Sequence, residues 1–224
     1  MESFMIIDFN LIIEYLPTLL QGLVVTLQIA GIGCCIGLIL GTMLALMQTS
    51  NNTLLRAFVN CYVVIIRGTP MLIQIVCAYS LLPHIGIHIA ALWTAIIAIG
   101  LNSAAYISQI IKSGILSIGA GQMEAAKVLG FSTTDTIRYI MLPQALRTTL
   151  PALGNEFVTL IKDSALASLI GVAELTKQAN YVKSKTFDAI TVYFAAAVLY
   201  LIVTSTISFF IARLEKRMNI HAQD

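Results

Sequence analysis

Charge is what this chain has least of. Only 11% of its 224 residues are Asp, Glu, Lys or Arg, against roughly a quarter in ordinary soluble domains. The hydrophobic share is 58% and the mean hydropathy is +0.88, so most of the surface has to be solvated by lipid. A formal net charge of +2 excludes the electrostatic footprint of a nucleic-acid binder, and the basic residues form no single patch. The four cysteines, Cys34, Cys35, Cys61 and Cys77, lie in apolar runs without paired spacing, which argues against a zinc site or a disulfide framework.

Other absences are equally restrictive. There is no GxxxxGK[ST] phosphate loop, so the chain by itself is not expected to bind ATP in the usual way. HExxH and GxSxG are missing, and no serine has a plausible catalytic histidine at membrane depth, so neither a zinc protease nor an intramembrane hydrolase has its parts. His84 and His88 have i, i+4 spacing, but Pro83 and Gly86 interrupt any helix there, and a loop role is expected. The expectation is a non-enzymatic chain with no metal and no cofactor of its own. The amino terminus carries Glu2, Asp8 and Glu14 rather than a basic n-region, so the first apolar segment is expected to stay in the mature protein.

What is present is apolar length. A helix needs about 20 apolar residues to cross the hydrocarbon core, and five stretches qualify: 18–47, 57–82, 89–111, 153–172 and 189–212. The sequence therefore predicts an all-α membrane protein, one domain over 1–224, with five transmembrane helices. In the first stretch Gly31, Gly33, Gly37 and Gly41 supply small residues for close helix contact. Trp93 and Tyr106 read as packing or interface anchors.

Arg56, Lys112, Lys127, Arg138, Arg147, Arg213, Lys216 and Arg217 fall on one side of these spans and Lys177, Lys183 and Lys185 on the other. The positive-inside rule makes the first set cytoplasmic. With an odd number of spans, the amino terminus is expected outside and the carboxyl terminus inside.

The loop at 113–150 is long for a connection without structure of its own. Glu124 to Leu129 are mostly good helix formers, and Gly130 can close them with a left-handed cap. Ser132 and Asp135 stand at N-cap and N3 of a second helix, expected over 133–142 and stopping before Pro143. Ala125 and Ala126 would give the first helix a nearly bare face, suited to insertion into a groove on another protein.

Read in order, the loop is Glu124-Ala125-Ala126, three residues, Gly130, nine residues, Ile140, one residue, Leu142-Pro143. This resembles the EAA signature of permease subunits of ABC importers. Arg67-Gly68-Thr69-Pro70, Leu101-Asn102-Ser103-Ala104-Ala105-Tyr106, Leu142-Pro143-Gln144-Ala145, Leu150-Pro151 and Leu160-Ile161-Lys162-Asp163-Ser164 extend the likeness to the polar amino acid permeases.

That resemblance implies a type I importer transmembrane domain in the bacterial inner membrane. It would pair with an identical or paralogous permease on two cytoplasmic ATPase subunits, which would hold ATP and magnesium, and would receive cargo from an extracytoplasmic amino acid binding protein. It also implies that Glu124, Ala125, Ala126 and Gly130 couple to the ATPase. The cargo would be a polar or basic amino acid such as arginine, histidine or glutamine. The competing reading is a self-contained channel or secondary transporter, which the docking loop and the lack of paired inverted halves disfavour.

Independently of the family, polar residues recur near the middle of the predicted spans: Arg67, Thr69 and Pro70 in the second, Asn102 in the third, Lys162 and Asp163 in the fourth. At about 1.5 Å of rise per residue they share one level near the midplane. A charge there costs about 2.5–3.5 kcal/mol on insertion scales, so these groups should face protein or water. Pro70 supplies no amide hydrogen and frees the carbonyl of Ile66.

Asn102, Ala105 and Gln109, with Ser108 beside them, share one stripe, and Met71 and Gln74 another. Lys162 or the amides near Thr69 could meet a carboxylate; Asp163 or the carbonyls near Pro70 could meet an ammonium. Arg67 has a second reading, an ion pair with Asp163 or Glu156 that locks the bundle. The resemblance implies ligand contact at Met71, Gln74, Asn102, Ala105, Ser108 and the Lys162-Asp163 region.

Overall fold

The computed structural model describes residues 7–50, 52–132 and 135–219, and the described secondary structure is helical throughout. Its α-helices are α1 (Phe9–Thr49), α2 (Thr53–Gly68), α3 (Met71–Leu81), α4 (Ala91–Leu116), α5 (Ala120–Val128), α6 (Leu142–Asp163), α7 (Leu175–Thr186) and α8 (Ala189–Asn219). Several of their starts are written in polar side chains that accept from the first free amides. Asp8 Oδ1 takes the amides of Asn10 and Leu11 at 2.9 and 3.2 Å. Asn52 Oδ1 takes those of Leu54 and Leu55 at 3.0 and 3.2 Å, and Asp188 Oδ1 takes that of Thr191 at 3.0 Å.

The expectation of five spanning helices is not met. Among the described residues three helices are long and apolar enough to cross a membrane, α1, α4 and α8, or four if the bent pair α2–α3 is one span. The second predicted span is broken: α2 ends at Gly68, α3 begins at Met71, and the axes bend by 104° across Thr69 and Pro70. The fourth, expected over 153–172, fails for a different reason. α6 begins eleven residues earlier, at Leu142, which adds Arg147 to the Glu156, Lys162 and Asp163 already within the expected range. At Ser164 the backbone tightens into a 3-10 segment, Ser164–Ile170, which Gly171 terminates at φ +88°. Apolar length in sequence was therefore divided between two backbone geometries.

Contacts group the chain into two compact units, 1–35 with 69–100 and 157–207, and 36–68 with 101–156 and 208–224. In the first, Leu19 of α1 packs with Leu175, Ala179 and Val182 of α7 and Val192, Ala195 and Ala196 of α8, all buried. Apolar residues at i, i+4 and i+7 make α7 one-sided. Gly22 lets it seat directly on α1, since a Cβ there would stand 2.8 Å from the Leu175 Cα.

In the second unit, Cβ atoms at Gly37 and Gly41 would stand 2.8 Å from the Ser103 hydroxyl and from the Ile107 side chain. These glycines hold α1 and α4 in close contact, as the small-residue pattern implied. Gly33 has the same function against Ile99 in the first unit, whereas Gly31 meets nothing within 4 Å.

Candidate functional site

In the first unit the site begins at the α2–α3 break. Pro70 is extended, with φ −63° and ψ 134°, and its carbonyl accepts from the amides of Ile73 and Gln74 at 3.0 and 3.2 Å. Gln74 turns its side chain back over the break, where Nε2 donates to Thr69 Oγ1 at 2.7 Å and to the Thr69 carbonyl at 3.2 Å. A polar clasp thus replaces ladder bonds that proline cannot make. Met71 and Gln74 are half-buried at the start of α3, and α3 packs on the 3-10 segment that follows Asp163. Lys162 is exposed and Asp163 half-buried at the end of α6.

The second unit holds Asn102, Ala105 and Ser108, at 7%, 0% and 0% exposure. Ala105 packs against Val59 and Val63, and Ser108 spends its proton on the Ala105 carbonyl at 2.7 Å. The adjoining Gln109 donates to Ser108 Oγ at 3.1 Å and to Gln48 Oε1 at 2.9 Å, and Gln48 in turn donates to Asn60 Oδ1 at 2.9 Å. Ser103 Oγ donates to Glu156 Oε1 at 2.9 Å. Arg67 lies with its guanidinium 5.1 Å over the ring of Tyr106, so its contact here is to an aromatic face.

Sequence reasoning omitted the Gln48–Asn60–Gln109 chain and the Ser103–Glu156 pair. The available signal was amide and carboxyl side chains beside apolar runs, which have to find partners in lipid.

The loop contributes α5. It ends in a Schellman closure: the Phe131 amide donates to the Ala126 carbonyl and the Gly130 amide to that of Lys127, each at 3.0 Å, with Gly130 at φ +80°. That geometry requires a residue without a Cβ clash, so Gly130 is the corner expected of it. The helix extends from Ala120 to Val128, longer than the expected 124–129. Glu124 and Ala125 are exposed, but Ala126 is 1% exposed, so the two alanines do not form one open face. The exposed apolar groups are Val128 and Leu129, at 87% and 75%.

Beyond the corner, Ser132 Oγ accepts from the Asp135 amide at 3.1 Å, the N-cap half of the expected capping arrangement, and donates to Asp135 Oδ2 at 2.6 Å. The predicted helix start at Thr133 lies outside the described residues. Pro143 does not stop the second helix. A π-helical segment, Thr136–Met141, runs straight into α6, with the Leu142 amide donating to the Ile137 carbonyl. A proline ring clashes with the carbonyl four residues back, and the wider π turn makes room for it, leaving Pro143 in the first turn of α6.

Among the described residues no group of three or more His, Cys, Asp and Glu side chains is placed to hold a metal. The polar residues above do not form a nucleophile, base and oxyanion set. Their chemistry is that of binding and positioning.

The family described as "Binding-protein-dependent transport system inner membrane component" matches residues 37–220. The chain is 39% identical over 215 residues to the glutamine transport system permease protein of Escherichia coli (strain K12), covering 95% of this chain and 98% of that one. It is 34% identical over 213 residues to the arginine transport system permease protein of Bacillus subtilis (strain 168), with 95% and 97% covered. Among solved structures, that of an amino acid ABC transporter with histidines superposes with a TM-score of 0.89 at 37% identity, over 94% of this chain and 99% of that one. The chain belongs to the family of inner membrane components of binding-protein-dependent transport systems.

Proposed function

We propose that this chain, the permease component of an ABC-type amino acid importer, carries a polar amino acid of the glutamine or arginine class across the inner membrane. ATP hydrolysis in partner subunits, acting through α5, would drive the transport. The observation that carries the coupling half of the reading is α5 itself: a short helix closed by the Gly130 corner, bearing the Glu124-Ala125-Ala126 motif and leaving Val128 and Leu129 uncovered. Two large aliphatic side chains in water are worth about 1.5–3 kcal/mol each on burial, which favours a protein groove over them.

In this reading two cytoplasmic ATPase subunits hold ATP and magnesium, a second permease subunit completes the pathway, and an extracytoplasmic binding protein delivers the cargo. The side of the membrane that carries α5 is read as cytoplasmic, in line with the bias of basic residues toward it.

The candidates for substrate contact are Thr69, Met71, Gln74, Lys162 and Asp163 in the first unit and Asn102, Ala105 and Ser108 in the second. Support comes from the exposed backbone at the α2–α3 break, which is tolerated in lipid only where protein or an aqueous path satisfies it, and from two charged groups at the end of α6. Lys162 supplies a cation for a carboxylate and Asp163 an anion for an ammonium.

Competition of unlabelled amino acids against ATP-driven uptake in proteoliposomes tests the reading. Glutamine or arginine should compete, and Asn102→Ala and Asp163→Ala should reduce uptake at least about tenfold, the loss of one charge-assisted contact. Unchanged uptake in both variants would remove these residues from the substrate path.

A further inference from the structure

A cavity of about 420 Å³ lies wholly within the second unit, walled by Arg67 of α2, Tyr106 and Gln109 of α4, and Thr148 and Thr149 of α6. Its size is in the range of small-molecule sites. None of the residues proposed above to meet the substrate lines it.

Its polar groups are sorted by kind. Arg67 is the charged residue of the lining, and its guanidinium, 5.1 Å over the ring of Tyr106, is a cation held by an aromatic face, with N–H donors that suit a carboxylate. Four of the other six polar side chains have spent their protons, those of Tyr106 and Ser113 being the exceptions. Thr148 and Thr149 each donate to the Ala145 carbonyl, at 2.9 and 2.8 Å. Ser117, also in the lining, donates to the Gly114 carbonyl at 2.8 Å, and the Gln109 amide nitrogen is bound to Gln48 and Ser108.

What these four residues turn outward is therefore oxygen lone pairs, acceptors only. The acceptor wall is also firm, because a Cβ at Gly114 would stand 2.1 Å from Thr149 Cγ2, so α4 and α6 touch there. A guanidinium and a set of acceptor oxygens in one lining are complementary to the two charges of a zwitterion.

We infer that this cavity is a second amino acid subsite, on the release side of the pathway, where Arg67 takes the α-carboxylate and the hydroxyl oxygens of Thr148, Thr149 and Ser117 take the α-ammonium. The inference rests on reading the chain as an amino acid permease whose α4–α6 loop is cytoplasmic. The cavity is built from the α4 and α6 residues nearest that loop, so a molecule held there is poised to leave.

The test uses the intact permease–ATPase complex without nucleotide, in an Asn102→Ala background that weakens the other site, titrated with L-glutamine by calorimetry. Saturable binding is expected at millimolar ligand. Arg67→Gln should raise its Kd by about tenfold or more, as should replacing glutamine by its α-carboxamide, because both remove the charge-assisted pair. Arg67→Lys should recover part of the loss.

Ser113 also lines the cavity and is exposed. Ser113→Leu should fill the space and weaken binding in a folded protein, which keeps the test decisive if Arg67→Gln does not fold. Binding by Ser113→Leu and Arg67→Gln equal to that of the background protein, equal affinity for the α-carboxamide, or no binding at all would overturn the inference. Absence of ATP-driven uptake by the unmutated complex would instead overturn the permease reading, so the two failures are distinct.

Discussion

Two short helices connect the longer ones, and they are secured in opposite ways. α7 is fastened by its own chain. Glu174 at its N-cap is fully buried; Oε1 takes the Lys177 amide at 2.7 Å, and Oε2 takes the Thr176 amide at 2.8 Å and the Tyr200 hydroxyl at 3.0 Å. The Leu175 amide donates to Thr26 Oγ1 at 3.2 Å. Burial pushes the Glu174 carboxyl above the ordinary glutamate range, against the opposite pull of the Thr176 and Lys177 amides and the Tyr200 hydroxyl.

α5, by contrast, is shaped by a local corner and leaves its largest apolar groups in water. An element that buries its stripe within the fold contributes to stability, whereas one that leaves it open contributes when a partner covers it. In the proposed reading the contrast separates residues that hold the permease together from residues that would connect it to an energy source.

The largest expected effect falls on α5. Replacing Val128 and Leu129 together by Asp should weaken ATPase binding by on the order of a hundredfold or more, from two lost burials at about 1.5–3 kcal/mol each, while the permease melting temperature stays unchanged. Co-purification with the ATPase and a thermal melt of the isolated permease check both halves. A drop in melting temperature with normal ATPase binding would erase the distinction between the two helices.

Glu174→Ala should do the reverse. It removes a cap and leaves Tyr200 and two amides to find other partners, so the permease should lose about 1–3 kcal/mol and melt lower, with ATPase affinity intact. A variant that melts normally but no longer binds the ATPase would place α7 among the coupling elements.

Gly130→Val sharpens the account of the corner. A side chain in the left-handed region costs roughly 1–2 kcal/mol, so ATPase affinity should fall about tenfold while the melting temperature barely moves, because the strain stays in an exposed loop.

The smallest effect is a pH dependence beside α7. Hydrogen bonds from the Thr191 hydroxyl and amide hold the Asp188 carboxyl below the ordinary aspartate range. A depressed carboxylate stabilises the fold above its unfolded value, and that contribution is lost as pH falls through the folded one. The first turn of α8 should therefore exchange its amide hydrogens faster, relative to intrinsic rates, below about pH 4. Asp188→Ala should show the fast behaviour at neutral pH already, and equal protection in both proteins at pH 7 would dismiss the cap.

How much of this could be read in advance depends on whether the signal was local. Gly130 and the Ser132–Asp135 pair were legible, because a left-handed corner and a capping box are specified by the residues that form them. Pro70 announced the α2–α3 break for the same reason, although nothing local fixes a bend of 104°. The fourth span was misread because residues 164–170 are apolar enough to extend a helix, whereas the chain switches to 3-10 geometry at Ser164, where it packs against α3. Pro143 misled in the other direction, since a π turn absorbed the clash that should have ended the helix.

α7 was passed over as a loop, though Glu174 as cap and Leu175, Ala179 and Val182 at helical spacing gave its pattern. At the candidate site the residue types were legible. The amide chain through Gln48 and the sorting of donors and acceptors around Arg67 required knowing which side chains meet.

The central claim is that energy enters through α5 from a partner ATPase. It is tested most directly by uptake of labelled glutamine into proteoliposomes that contain the permease, the ATPase and the binding protein, with ATP or with an ion gradient alone. The account predicts uptake with ATP and none with the gradient, and loss of uptake in the Val128→Asp, Leu129→Asp double variant. Gradient-driven uptake by the permease alone would contradict it.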